Sequence, residues 1–446
     1  MSKKLFSLIF IFIFTFIIAG KAEASNFQNL NYGAENTSLG GAGTFTTANY
    51  FSATTNPATL SSIDKVMLGA ASALYLPSIN SINYERESTR SDRGIAGGLD
   101  TSKENMKSAL LGFTVPIISD LLTLGFVGLL PIDSLVRIYT VTTRESHLLL
   151  YNSKDQRPEI YTALGVKLPY GFSLGAGLYY SLKVDGTVQA SVLPTDALAR
   201  MYIDLKPVLT PYVGLLYKNN KYDFDIGTFY RDQQSANANV NIDINFELNN
   251  NLSLASVPFA ASSNLITFFE PAVIGLGGSY KYNENYKFYF GALEKMWSRY
   301  HPPIILLSGK DLDILTGGVY ESNKISLKDT YSFHLGFEFN KEISLISREC
   351  LFSSRLGVQR HTSALPSTLS SLNILDTEKT IISLGAGVSR LALGILKNSK
   401  MQFNLAGNLT LLDKKDLMAR RNDFTIEKAR IGGHILAITG DIGFEY

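Results

Sequence analysis

Covalent chemistry in this chain of 446 residues would show first through five histidines, one cysteine and one glycine-rich run. Hydrolysis of an acyl ester needs a serine or cysteine held against a histidine. His147, His301, His334, His361 and His434 are scattered, with none in a recognisable nucleophile motif, and His334 takes a place on the polar face of an alternating segment. Cys350 is the single cysteine, so no internal disulfide can form and a packed thiol is expected. A phosphate cradle would need Lys-Ser/Thr after its glycines and a strand leading into a helix; Gly40-Gly41-Ala42-Gly43 has neither. No metal or cofactor is expected, and no enzyme. What remains is binding without reaction. Two segments, one with Leu252, Leu254, Val257 and Phe259, the other with Ile304, Ile305, Leu306 and Leu307, are apolar in places that read as loops facing water. Such residues either form a binding surface or pack loop on loop.

The elements that would position such a surface follow a leader. Lys3 and Lys4 precede an unbroken apolar run from Leu5 to Ala19, and Ala22-Glu23-Ala24 supplies the small-residue pattern that a signal peptidase cuts. Residues 1–24 are expected to be a secretory signal, the apolar run being short for a membrane span. Its loss removes three lysines and one glutamate from 41 basic and 39 acidic residues, leaving 38 of each. A formally neutral mature chain argues against a nucleic-acid partner, which would want a basic face to offset phosphate charge. A chain this long would ordinarily divide into soluble domains, yet Gly, Tyr and Phe recur from end to end without a linker or a compositional break. One large closed structure is expected.

Its elements are strands. Phe172, Leu174, Ala176, Leu178, Tyr180 and Leu182 alternate with Ser173, Gly175, Gly177, Tyr179, Ser181 and Lys183. The same period of two sets Tyr331, Phe333, Leu335, Phe337 and Phe339 against Ser332, His334, Gly336, Glu338 and Asn340, and Met401, Phe403, Leu405, Leu409 and Leu411 against Gln402, Asn404, Asn408 and Thr410. Tight turns at Ile118–Asp120, Tyr170–Gly171, Asn219–Lys221 and Asn283–Asn285 alternate with long connections, the outer-membrane pattern. Residues 109–131 are apolar enough for a membrane helix, but Pro116, Ser119 and Asp120 break the middle, and two strands around a turn explain those breakers. Strand starts near Val66, Lys107, Leu121, Glu159, Ser173, Asp204, Tyr222, Leu265, Tyr286, Asp329, Leu351, Thr380, Met401 and Gly433 give fourteen, an even number that returns both ends of the barrel to the periplasmic side. The last strand finishes on the aromatic Tyr446.

Ahead of the first strand stand Tyr32-Gly33-Ala34-Glu35-Asn36-Thr37-Ser38-Leu39-Gly40-Gly41-Ala42-Gly43 and then Thr55-Asn56-Pro57-Ala58-Thr59-Leu60. In this order the chain resembles the FadL-type family of outer-membrane long-chain fatty-acid transport proteins. The likeness continues through Phe113–Asp120, Lys295-Met296-Trp297-Ser298, Leu327–Tyr331 and the last strand. It implies an all-β fold: a 14-stranded antiparallel transmembrane β-barrel over residues 66–446, with residues 25–65 as an N-terminal lumenal hatch. A barrel this wide is not filled by its wall side chains, so a plug is physically sensible. Gly40, Gly41 and Gly43 would turn the chain tightly within it, and Asn56-Pro57-Ala58 would stiffen its approach to the first strand. The resemblance further implies passive uptake through the outer membrane of a Gram-negative bacterium, with capture at the apolar outer segments and a tighter pocket against the hatch. The cargo would be a long-chain fatty acid or another hydrophobic small molecule, the lipid neighbours those of the outer membrane, and the barrel a monomer. A fatty-acid carboxylate would meet basic residues in the lumen; Lys183 and Lys324 lie near the corresponding segments as candidates, without a residue-by-residue match. The family's third strand is kinked beside the hatch, and here that strand, residues 121–131, carries Gly125, Gly128 and the non-donating Pro131, so lateral release into the membrane is expected. The rival classes are an outer-membrane lipid hydrolase and a general water-filled porin.

Overall fold

Strands that alternate at period two and are joined by tight polar turns pair with their sequence neighbours, and in lipid such a sheet must close so that no backbone group is left unpaired. A computed structural model of the protein describes residues 32–79, 84–87, 105–132, 147–148, 157–192, 197–219, 221–250, 253–300, 306–308, 327–345, 348–366, 369, 374–392, 399–420 and 426–446. The leader expected over residues 1–24 lies outside them. Fourteen strands make the ring: β1 (Met67–Ile79), β2 (Met106–Ile118), β3 (Leu122–Pro131), β4 (Glu159–Lys167), β5 (Phe172–Val192), β6 (Ala197–Asn219), β7 (Phe224–Arg231), β8 (Val273–Lys281), β9 (Tyr286–Lys295), β10 (Thr330–Leu345), β11 (Arg348–His361), β12 (Lys379–Ala392), β13 (Lys400–Arg420) and β14 (Ile426–Glu445). Each is antiparallel to the next. β14 closes on β1 from Glu445↔Met67 to Gly433↔Ile79. Residues 109–131, weighed above as a helix, lie within the β2–β3 hairpin.

The two ends of the ring differ. One carries only the short connections 119–121, 168–171, 220–223, 282–285, 346–347 and 393–399, together with the start of β1 and the end of β14. Asp120, Tyr170 and Asp223, all at positive φ, reverse the chain there. The other end carries the long connections, together with two short ones, 193–196 and 421–425, that join long strands.

The sides differ more sharply. Leu335, Leu384 and Leu405 on the outer face are 64%, 62% and 62% exposed, whereas His334, Ser383 and Asn408 on the inner face are 3%, 0% and 3% exposed. In water this inverted pattern would lose the hydrophobic driving force that holds a fold together, so the outer face is one for lipid.

Two expectations need correction. The eighth barrel strand starts at Val273, not near Leu265, because residues 234–270 form an extra ribbon: Gln234–Asn250 pairs with Ser253–Glu270 outside the ring order. The first of these also runs parallel to β5, from Val240↔Gly186 to Phe246↔Val192. Leu254, Val257 and Phe259, read as loop residues, are therefore strand residues, and Leu306 and Leu307 belong to a short strand paired with the same ribbon at Ser262–Asn264. The sequence held the signal: Val240, Ile242, Ile244, Phe246 and Leu248 alternate with Asn and acidic residues.

Residues 32–66 fold inside the ring. α1 (Ala34–Ser38) is followed by three 3-10 turns at Ala42–Phe45, Ser52–Thr54 and Pro57–Ser62. Gly40 and Gly41 adopt φ of 62° and 70°, which an L side chain rarely takes, and let the chain double back after the helix. Every strand except β13 answers with an inward glycine whose missing Cβ would lie within 3 Å of this segment. Gly69 and Gly443 lie against Tyr50, Gly291 against Phe45, Gly357 against the backbone of Leu39–Gly40, and Gly175 against Pro57–Ala58. A girdle without side chains lets the wall accept a close-packed core of helix and turns.

Candidate functional site

The segment is fixed to the wall by buried polar contacts. Asn56 accepts from Ala58 N–H at 3.1 Å and so caps the last 3-10 turn, with Pro57 in its first position. Its amide donates to Phe45 O at 3.0 Å and to Leu215 O of β6 at 3.1 Å. One asparagine thus ties two turns of the N-terminal segment to a strand, and Gly175 makes room for the backbone of Pro57 and Ala58 where a Cβ would clash. Gly43 leaves the space that Thr47 Oγ1 and Asn36 Oδ1 occupy. On the far side Asp441 of β14 accepts from Ala34 N–H (2.6 Å), Tyr50 O–H (2.7 Å) and Asn404 (2.8 Å). Arg355 of β11 lies 3.6 Å from Glu35 and 3.6 Å from Glu338. Burial pushes the Glu35 carboxyl above its ordinary range, with Arg355 opposing.

Towards the long-connection end, the lumen wall carries two chemistries. On β4, β5 and β7, together with Glu270 at the end of the ribbon, sits an aromatic and acidic network. Tyr161 O–H donates to Glu159 at 2.9 Å, Tyr179 O–H donates to Glu270 at 2.9 Å, and Arg231 closes on Glu270 at 2.6 Å while its guanidinium lies over the Tyr179 ring. The Tyr161 and Tyr179 rings stack at 4.6 Å. Tyr32 enters this network from the N-terminal segment, its hydroxyl 2.9 Å from that of Tyr161 and 3.3 Å from Glu159. Burial holds the Tyr32 phenol well above its usual range, so it remains a donor.

On β9 to β12 the wall turns basic. Lys295 ends β9, His334 lies on β10, and His361 of β11 stands beside Lys379 of β12 in register. Lys295, Lys379 and His361 lie within Coulombic reach of one another, as do Asp376 of Lys379 and Glu270 of Lys295. Among the described residues Lys295 has no ion-pair partner. Directly beyond it, Trp297, Tyr300 and Phe269 form an aromatic cluster with ring centres 5.4–6.1 Å apart. Cationic groups beside apolar rings are what an amphiphilic anion requires: Coulomb attraction for its head and burial for its tail.

Ser332 Oγ and His334 Nε2 meet at 2.9 Å, and His334 Nδ1 meets Gly40 O at 2.8 Å. The pairing has the outline of a nucleophile and base. Both residues are buried, however, and the orienting partner is a carbonyl of the N-terminal segment, so the geometry is that of a latch holding that segment to β10. Cys350 is buried and its thiol faces Ile343 O at 3.5 Å, as a packed thiol would.

The residues singled out in the sequence are thus unequally placed. Gly40, Gly41, Gly43, Asn56, Pro57 and Ala58 come together within the ring. Gly125 faces inward onto Leu60, Gly128 faces outward with only Phe126 near it, and Pro131 ends β3 opposite Ser108. β3 pairs continuously with β4 from Leu122↔Val166 to Leu129↔Glu159, and its ladder with β2 shifts only between Pro116 and Ile118. Lys183 lies on β5, away from the basic group just described in strand order. Leu252, Ile304, Ile305 and Lys324 lie outside the described residues. Lys295, His361 and Lys379 were not singled out as anion ligands, although Lys295 stands in the quoted Lys295-Met296-Trp297-Ser298 run.

Known proteins bear on the fold. No family model matches the sequence, and no curated protein does. Among solved structures, a Pseudomonas aeruginosa FadL homologue aligns over 95% of this chain and 100% of its own, with a TM-score of 0.64 at 13% identity. The CymD monoaromatic hydrocarbon channel aligns over 94% and 99% (TM-score 0.50, 14% identity), and the P. putida toluene transporter TodX over 93% and 98% (TM-score 0.50, 12% identity). The fold of this chain is therefore that of the FadL homologue and of the CymD and TodX proteins.

Proposed function

We propose that this protein takes up long-chain fatty acids, or apolar carboxylates like them, passively through the outer membrane of a Gram-negative bacterium. The short-turn end then faces the periplasm, and residues 25–65 serve as the hatch. The observation that carries the cargo class is the lysine pair Lys295 and Lys379 with His361 beside Lys379, on the side of the hatch facing the long connections, Lys295 being followed in the chain by the aromatic Trp297 and Tyr300. A neutral hydrocarbon has no use for cations there, whereas a carboxylate gains a charge-assisted contact. Capture by the apolar outer segments, Leu252–Phe259 and 304–307, belongs to the same proposal.

Lateral release is retained with a changed physical basis. Since Gly125 receives Leu60 and the β3 ladder is continuous, a sideways route requires β2 and β3 to part during transport. The experiment that tests the cargo is equilibrium binding to the purified barrel of a long-chain fatty acid and of toluene, for the parent and for Lys295→Ala with Lys379→Ala. Weakened acid binding with toluene unchanged supports the proposal; equal loss of both would reject a carboxylate site. A general porin is the reading that this packing opposes, because the girdle leaves little room beside the hatch.

A further inference from the structure

The outer wall carries a groove on its lipid-facing side. It has a volume of 620 Å³ and runs over the lipid-facing side of β4 to β8. Leu164, Val166, Leu174, Val213, Leu215 and Ile274 form its sides, and its floor reaches the backbones of Gly175 and Gly214. The volume lies within the range of small-ligand pockets, and the lining is almost wholly apolar. An open apolar trough of this kind is filled by whatever apolar matter surrounds it, and on an outward face that is lipid. Its end nearest the short turns is flanked by amphiphilic groups. Phe172 and Tyr217 pack with ring centres 4.8 Å apart, followed by Tyr170, 91% exposed, and Tyr222, with the Lys221 amine over the Tyr222 ring at 5.3 Å. Tyrosines and lysine at a membrane–water boundary suit a glycerophosphate head, the tyrosines through hydroxyl hydrogen bonds and the lysine through its charge.

We propose that this groove is a phospholipid site. One acyl chain of a periplasmic-leaflet phospholipid lies along Leu164, Leu174, Val213 and Leu215, and its phosphate is met by Lys221 between Tyr170 and Tyr222. The inference rests on the outer-membrane orientation given above. It places a structural lipid directly behind the wall that bears Asn56 and Pro57, since Gly214 and Gly175 contact these residues on the inner side.

The test is to purify the full chain from its membrane in mild detergent and to count retained phospholipid by native mass spectrometry. The parent is expected to hold one phospholipid per barrel. Val213→Trp with Leu215→Trp should fill the groove and lower retention about tenfold, the scale of losing burial of two methylenes. Leu384→Trp, exposed on another part of the wall, should leave it unchanged. Heat-modifiable migration shows whether each variant has assembled. If the filled variant does not assemble, Lys221→Glu, which lies in a turn outside the groove, should still lower retention. Unchanged retention in assembled variants overturns the proposal, as does retention of a free acid in place of phospholipid, or a dimer in the parent that the filled variant loses. Recovery outside the outer membrane would instead reject the orientation on which the proposal stands.

Discussion

His334 shows how much a single side chain can carry in this wall. Its ring ties Ser332 of its own strand to the carbonyl of Gly40, so one imidazole joins the wall to the segment folded inside it. His334→Ala should weaken hatch docking by about 1 kcal/mol, the net worth of one hydrogen bond, and raise the leak current of single channels; an unchanged current would mean the latch is redundant. Lys295→Ala should lower fatty-acid affinity roughly tenfold to a hundredfold, since a hydrogen bond to a charged group contributes ~1.5–3 kcal/mol. Glu35 supplies a pH dependence. Its carboxyl is raised in the docked hatch, chiefly by burial and against Arg355, with Glu338 and Asp441 adding to the rise and Asn49 opposing it. The docked form therefore binds the proton more readily than the free form. Docking is favoured at acid pH and loses this contribution as pH climbs from the ordinary carboxylate value through the raised one. Leak current should rise across that interval in the parent and lose the dependence in Glu35→Gln.

The hatch and the glycine girdle act as one element with its socket. A leucine at Gly291 or Gly357 would place side-chain atoms where Phe45 or the Gly40 backbone now sits, at approaches no real Cβ makes. Gly291→Leu or Gly357→Leu should therefore give an assembled barrel with a displaced hatch, read as higher conductance and as protease cleavage within residues 32–66. Deletion of residues 26–60 should raise conductance further while the wall still assembles, because the ring closes through β1 and β14 alone. The lateral route is an element-scale question too. A cysteine pair, Leu111→Cys with Gly128→Cys, at register partners on the outward face of β2 and β3, in a Cys350→Ser chain, would pin those strands together. Uptake that falls on oxidation and returns on reduction supports parting of the strands. Undiminished uptake in the cross-linked chain argues for passage past the hatch instead.

At the scale of the whole molecule the decisive property is the closed ring. All fourteen strands find partners on both sides, so unfolding has no free edge from which to start, and the folded barrel should run faster than the boiled one in a detergent gel. The protein should fractionate with the outer membrane. Recovery as a soluble periplasmic protein would overturn both the orientation and the proposed function.

Much of this was legible because period-two alternation is a local property. Ser332 to Asn340 facing in and Tyr331 to Phe339 facing out followed from side-chain order alone, and tight turns fixed which strands are neighbours. The strand count was also legible, though the position of the eighth was not. The ribbon 234–270 alternates as well as any barrel strand, and only the competition for partners among all strands decides which of them enter the ring. The basic cluster shows the sharper limit. Lys295, His361 and Lys379 stand far apart in sequence, on strands whose order around the ring and whose register bring them to one wall; no spacing rule joins residues on separate strands. Glycines such as Gly175, Gly336 and Gly357 were visible on the polar face of their strands, yet that they form a socket depended on the hatch lying inside the ring. Sequence alone determined which face of each strand meets lipid, since burial of apolar groups is decided residue by residue. Which lumenal side chains meet was decided only by closure, because shear and register set their neighbours across a distance the local chain does not encode.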